Sequence, residues 1–242
     1  MSGIIVRRRP WWRNALRALP LAVAVGLTGT LAAALQVREV RVSGTSRFPA
    51  REVERVLGAA LGTPAVAARP EALRALVRAL PWVEDAHVKV SLDGVVACAV
   101  SERVPVAVAV DGPTRQLVDS AGNLLGPAGG GRAPLELDAF GPHPGERADL
   151  LARIPELERA WGGRLARAVR VGPRDVELGF EGAPCTVVAD PAEPDGVATA
   201  RRVLTAWTAS HDGAPRRLDA RVPGRVAVLP APPPEPPVGE AS

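Results

Sequence analysis

The sequence predicts an α+β protein: a single transmembrane helix, then a small β-α-α-β-β domain, then a second mixed α/β domain with a largely antiparallel sheet. Three observations carry this. One uncharged apolar run, Ala18 to Val37, follows a start that holds only basic charges. Behind it, two helical apolar stripes are followed at once by two alternating segments around Asp93-Gly94, the order of a small two-layer unit. Beyond residue 105, short strand-like and helix-like segments succeed one another between Gly and Pro punctuation.

The start is a basic arm, residues 1–17. Arg7, Arg8, Arg9, Arg13 and Arg17 precede any acidic residue, and Trp11 and Trp12 lie among them. The run from residue 18 to 37 would span about 30 Å as a helix, the thickness of a bilayer core. Its positive flank orients it: arm in the cytoplasm, the rest of the chain outside the inner (cytoplasmic) membrane. A cleaved signal peptide is the rival, because Ala32-Ala33-Ala34 offers a small-x-small cleavage pattern, but the run exceeds the usual signal core of about 7 to 15 residues. Within it, Ala18, Ala22, Gly26, Thr30 and Ala34 recur every four residues, a stripe that would let another span approach closely. Half of the run is Ala, Gly or Thr, so chance alone yields such a stripe in roughly one case in eight.

The first outer domain is expected over residues 38–105. "VREVRV", Val37 to Val42, alternates as a strand and ends at Ser43-Gly44. Pro49 fits the first turn of a helix whose apolar face is Val53, Val56 and Leu57. Pro70 opens a second helix, with Leu73, Leu76, Val77 and Leu80 at i, i+3, i+4 and i+7, and Pro81 stops it. Strands follow at His87 to Leu92 and Val95 to Arg103, with Asp93-Gly94 suited to a tight type I′ hairpin. Trp82 is expected at the edge of the helix–sheet core with its indole N–H bonded or wet.

The second domain is expected over residues 106–229. Pro105 to Val110 and Gln116 to Val118 read as short strands, and "GPAGGGRAPLELDAFGPHPGE" as connection. A helix resumes at Ala148 with Leu150, Leu151, Ile154, Leu157 and Trp161 on one face and Pro155 as a kink or break. Strands at Leu165 to Val171, Val176 to Phe180 and Cys185 to Ala189, a helix at Val197 to Trp207, and strands at Leu218 to Arg221 and Arg225 to Leu229 complete it. The prolines of residues 230–242 cannot donate to a ladder and predict an extended or disordered tail.

Composition narrows the function. Lys89 is the only lysine, Tyr is absent and Ala, Gly and Pro abound, so the arginines reflect a base-composition bias and do not mark a nucleic-acid surface. Beyond residue 38 they are interspersed with Asp and Glu. His87, His143 and His211 are scattered without a second ligand at metal spacing, and Cys98 and Cys185 read as two small buried apolar side chains. No phosphate loop, nucleophile elbow or local triad motif occurs. No cofactor, metal or small-molecule substrate is expected.

Gly44 after the first strand, "LPWV" at Leu80 to Val83, "VSERVPVA" at Val100 to Ala107 and "LVDSAG" at Leu117 to Gly122 together resemble the FtsQ/DivIB family of bacterial cell-division proteins. The first domain resembles that family's POTRA domain, and "LDARVPGRVAV" its terminal strand pair. One departure is "SLDGVV" where the family usually carries Trp-Pro between its second and third POTRA strands. The resemblance implies a non-enzymatic scaffold of the divisome that holds FtsB- and FtsL-like single-span partners at the septum. It places the FtsB-like partner on the last strand, Arg225, Val226, Ala227, Val228 and Leu229. The alternation there sets Val226 and Val228 on one face and Arg225, Ala227 and Leu229 on the other. The competing class is a cleaved, periplasmic POTRA-bearing protein of transport or outer-membrane assembly, which predicts tandem units or a barrel.

Overall fold

The computed structural model describes residues 35–129 and 133–232, which divide into two compact units between Glu102 and Arg103. The basic arm, residues 18–34 of the apolar run and the tail from residue 233 lie outside the described residues. Among those described, no helix is long and apolar enough to cross a membrane.

The first unit runs β1 (Glu39–Ser43), α1 (Ala50–Leu57), a short 3₁₀ turn (Gly58–Ala60), α2 (Pro70–Arg78), β2 (Val83–Val90) and β3 (Val95–Glu102). Its sheet has the order β1-β3-β2, with β1 parallel and β2 antiparallel to β3. Period-two alternation turns Ala86, Val88, Val96, Cys98 and Val100 inward, where Val53 and Leu57 of α1 and Leu73 and Val77 of α2 are buried. Leu76, expected on that stripe, is 49% exposed, because α2 buries only the two positions four residues apart. Trp82 is where its sequence context placed it: 2% exposed, stacked on Phe48 at 5.0 Å, and donating its indole N–H to Glu52 Oε2 at 2.8 Å.

Two local expectations are corrected. Strand β2 starts at Val83, four residues before the expected His87, because Trp82 and Val83 are both buried and carry the chain straight from the helix into the sheet. The hairpin is not type I′, which needs positive φ at both central residues. Only Gly94 has it, at 87°. The amide of Gly94 bonds to the Ser91 carbonyl and that of Ser91 to the Val95 carbonyl, making Leu92-Asp93-Gly94 a three-residue loop closed by a left-handed glycine. A Cβ on Gly94 would collide with the Gln36 carbonyl. The tight approach of the chain beginning β1 therefore requires glycine there.

Among its described residues, the second unit forms one nine-stranded sheet with two helices on it. Its elements are β4 (Pro105–Asp111), β5 (Thr114–Asp119), β6 (Leu124–Pro127), β7 (Glu136–Asp138), α3 (Pro144–Trp161), β8 (Leu165–Arg170), β9 (Val176–Phe180), β10 (Thr186–Ala189), α4 (Pro194–Ser210), β11 (Arg217–Asp219) and β12 (Ala227–Leu229). The sheet order is β12-β11-β10-β9-β8-β7-β4-β5-β6. Three ladders are parallel, β4 with β7, β7 with β8 and β10 with β11, and the other five antiparallel. Leu150, Leu157 and Trp161 of α3 and Val197, Ala200 and Leu204 of α4 close the core over Leu137, Ala168, Leu178 and Val187.

Sequence and structure part company between residues 124 and 155. Strand β7 lies in the stretch expected to be connection, and β6 runs into its start; they are three and four residues long, and β6 itself ends in Gly126-Pro127, so alternation is too short to register. Helix α3 begins at Pro144, where its missing N–H costs nothing, not at Ala148. It continues through Pro155 without ending. Pro155 is exposed, so the carbonyl it leaves without a partner lies on a side that water reaches. Cys98 and Cys185 are free and buried, as expected, one in each unit.

Candidate partner-binding edge

The last strand is formed by its own turn. Val222-Pro223-Gly224-Arg225 closes with the Arg225 amide on the Val222 carbonyl at 3.0 Å, and Gly224 has φ 74°. Proline second and a left-handed glycine third is the residue choice of a type II turn. It reverses the chain so that β12 pairs antiparallel with β11 in the register Leu229↔Arg217, Val228↔Leu218 and Ala227↔Asp219.

Strand β12 ends the sheet: β11 lies on one side, and no strand among the described residues lies on the other. Val226 and Val228 are half-buried and lie against the core, while Arg225, Ala227 and Leu229 are exposed. The ladder itself covers only residues 227–229, because Arg225 and Val226 still belong to the turn and the approach to β11. Pro230 is exposed directly after it and offers no N–H.

Beside this edge lies a recess of about 530 Å³ lined by Asp175, Asp219, Arg221, Val222, Arg225 and Ala227. Arg221 spans its floor, with Nε on Asp219 Oδ1 at 2.9 Å and Nη1 on Asp175 Oδ2 at 3.5 Å. The hydrogen bonds from Arg221 hold the Asp219 carboxyl below its ordinary value, and Asp219 in turn raises the guanidinium. Those two acids and one arginine satisfy one another. Arg225 on the rim makes no ion pair among the described residues. Chemically, this is a short strand edge with free main-chain donors and acceptors next to an uncommitted cation, suited to an extended chain that carries an acidic side chain.

The stripe Ala18, Ala22, Gly26, Thr30 and Ala34 lies outside the described residues. Two of the motif phrases hold residues that anchor loops. Glu102, in "VSERVPVA", accepts the backbone N–H groups of Ser46, Arg47 and Phe48 and the Ser46 hydroxyl, at 2.7 to 3.1 Å. Asp119, in "LVDSAG", accepts the N–H groups of Ala121 and Asn123, the Asn123 side chain and Arg103 Nη1. Burial pushes both carboxyls up, but these donors outweigh it and hold each below its ordinary value. An unanticipated side chain completes the set. Arg147 is 2% exposed and donates to the carbonyls of Gly122, Gly141 and Pro142. No sequence signal marked it, because its partners are backbone carbonyls and the helix was expected to begin one residue later.

Residues 35–103 match the family described as POTRA domain, FtsQ-type. The chain is 32% identical over 151 residues to the cell division protein FtsQ of Mycolicibacterium smegmatis, covering 60% of this chain and 45% of that protein. It is 30% identical over 230 residues to the cell division protein FtsQ of Novosphingobium aromaticivorans, covering 86% of this chain and 69% of that one.

Proposed function

The chain belongs to the FtsQ family of cell-division proteins, a non-enzymatic family, and on that premise we propose that it is a single-pass scaffold of the divisome in the cytoplasmic membrane at the septum. Residues 1–17 are its cytoplasmic arm and 230–242 a tail; the membrane segment expected over 18–37 gives up Leu35 to Val37 to the POTRA domain, and the boundary between that domain and the FtsQ-type β domain lies between Glu102 and Arg103 instead of at 105–106. Arginines before an uncharged run support that orientation.

The scaffold holds FtsB- and FtsL-like single-span partners. The FtsB-like chain adds to β12 as a further strand, with Arg225, Val226, Ala227, Val228 and Leu229 as the contact, and Ala18, Ala22, Gly26, Thr30 and Ala34 receive a partner span in the bilayer. The observation that carries this is the position of β12: the outermost strand of a nine-stranded sheet, its apolar face turned to the core and its other face exposed.

Two truncations test it. Ending the chain after Leu229 leaves septal recruitment of the FtsB-like partner intact, whereas ending it after Gly224 abolishes recruitment while the POTRA unit stays folded. Recruitment by the shorter chain, shown to be folded and membrane-anchored, would place the contact elsewhere. In the bilayer, Gly26→Leu weakens crosslinking to partner spans without affecting insertion; unchanged crosslinking would reduce the stripe to alanine richness.

A further inference from the structure

The last residues of the apolar run belong to the first unit. Val37 is 2% exposed. Its N–H bonds to the Thr63 carbonyl and its carbonyl accepts the Gly62 N–H, each at 2.9 Å, while the Ala65 N–H bonds to the Leu35 carbonyl at 2.7 Å. The loop between α1 and α2 is thus stapled to residues 35–37. The β2–β3 hairpin is stapled to the next residues, with the Arg38 and Glu39 amides on the Gly94 carbonyl at 2.7 and 3.2 Å.

Both loops carry apolar side chains turned outward. Leu61 is 48% exposed, Val66 74% and Leu92 65%. Of the large apolar residues exposed among the described residues of the first unit, only Leu76 lies elsewhere. Between Arg55 and Arg69 the loop has no charged side chain. Its backbone is also turned inward on itself: Leu61 bonds to Gly58, Thr63 to Ala60, and Ala67 and Ala68 to Pro64, and the Thr63 hydroxyl donates to the Ala60 carbonyl. Few polar groups would therefore lose water against an apolar phase.

We propose that this end of the POTRA unit, the Gly58–Ala68 loop and the tip at Leu92, rests in the headgroup layer of the outer leaflet. The occupant of these exposed apolar side chains is the lipid surface itself. The argument rests on the single-span reading above and adds a length constraint to it. With Leu35 to Val37 committed to the unit, the 17 uncharged residues Ala18 to Ala34 remain. As a helix they reach about 25 Å, at the short end of what crosses a hydrocarbon core of about 30 Å. No spacer is left, so whatever is bonded to residues 35–39 is held at the membrane surface. Arg55 and Arg69 flank the uncharged stretch where anionic headgroups would lie. Asp93 beside Leu92 limits the depth to the headgroup level.

The test uses the full chain reconstituted in phosphatidylethanolamine–phosphatidylglycerol vesicles containing doxyl-labelled lipid. An environment-sensitive fluorophore is attached at Val66→Cys, Leu92→Cys or, as an exposed apolar control, Leu76→Cys; the wild-type chain, whose two cysteines are buried, gives the background. The labels at 66 and 92 are expected to be quenched about threefold or more above the label at 76, as for side chains about 5–10 Å into the interface. Equal quenching at all three positions, in protein that resists extraction by alkaline carbonate, overturns the surface contact alone. Protein that carbonate strips from the vesicles overturns the single span, and the contact with it.

Discussion

The two units secure their loops in different ways. In the first, three consecutive amides at Ser46 to Phe48 converge on one carboxylate, Glu102, at the end of the unit's last strand. In the second, charge runs in both directions: Asp119 gathers donors from its own turn and from Arg103, and the buried Arg147 gathers carbonyls from two separate loops. Glu102 and Arg103 are neighbours in sequence and act in different units. A small sheet with one parallel ladder can be closed by its own terminus. A nine-stranded sheet with three parallel ladders needs anchors from elsewhere, because each parallel ladder demands a crossover that leaves turn backbones to satisfy.

The comparison is broken most directly at one buried tryptophan in each unit, Trp82 and Trp161. Trp82→Ala removes the ring stacked on Phe48 and is expected to cost about 3 to 5 kcal/mol, with hydrogen-exchange protection lost in residues 39–102 and retained in 103–229. Trp161→Ala, which removes the ring stacked on Phe180 at 4.7 Å, should give the reverse pattern. Protection lost across both units in either variant would mean that they unfold as one.

Next comes Glu102→Ala. It strands the Ser46–Phe48 amides at a partly exposed site and is expected to cost about 1 to 2 kcal/mol, measured by denaturant unfolding. A loss no larger than that of a surface substitution would show that water replaces the carboxylate.

Asp119→Asn sharpens the contrast through pH. The folded carboxyl lies below its unfolded value, so the folded state binds fewer protons in acid. The stability it confers is complete above the unfolded value of about 3.9 and is lost as pH falls through the lower folded value. Unfolding midpoints of wild type and Asp119→Asn should therefore converge as pH is lowered from 6 to 3; curves that stay parallel would remove Asp119 from this role.

The smallest effect is expected at Arg41→Ala. Its pair with Glu39 at 2.7 Å is exposed, with side chains 65% and 50% accessible, and such pairs add little in water. Its unfolding midpoint should match the wild type within error.

Much of the first unit was legible because its signals are local. Helix α1 between Pro49 and Gly58, α2 opening at Pro70, and alternation through Val96, Cys98 and Val100 each lie within one short window. The hairpin misled because Asp-Gly fits both a type I′ turn and the longer loop, and what decides between them is backbone conformation: Gly94 alone takes positive φ, and the Ser91 amide closes the loop on the Val95 carbonyl. In the second unit the helices and β8 to β10 could be read, but the sheet order could not. The pairings β4 with β7 and β10 with β11 join segments separated by turns or a whole helix, and nothing in a window of sequence reports them. For the candidate edge, the alternation of Val226 and Val228 was readable in advance. That β12 is outermost follows only from topology. Arg147 was not readable at all, since its partners are carbonyls of Gly122, Gly141 and Pro142, groups that every residue possesses.

The parallel pairing of β1 with β3, five residues from Glu39↔Val95 to Ser43↔Ala99, also bears on mechanics. In the proposed single-span arrangement the chain would enter β1 at its start from the membrane, and it leaves for the second unit from the end of β3. In a parallel pair those two points lie at opposite ends. Tension between the start of β1 and the end of β3 therefore loads the ladder along its length, and its evenly spaced bonds must yield together instead of one after another. A protein tethered in the membrane and pulled by septal partners would carry that load through its first and last POTRA strands. Single-molecule pulling between residues 38 and 103 is expected to need more force than pulling between residues 83 and 102, the adjacent ends of the antiparallel β2–β3 pair, which open like a zip.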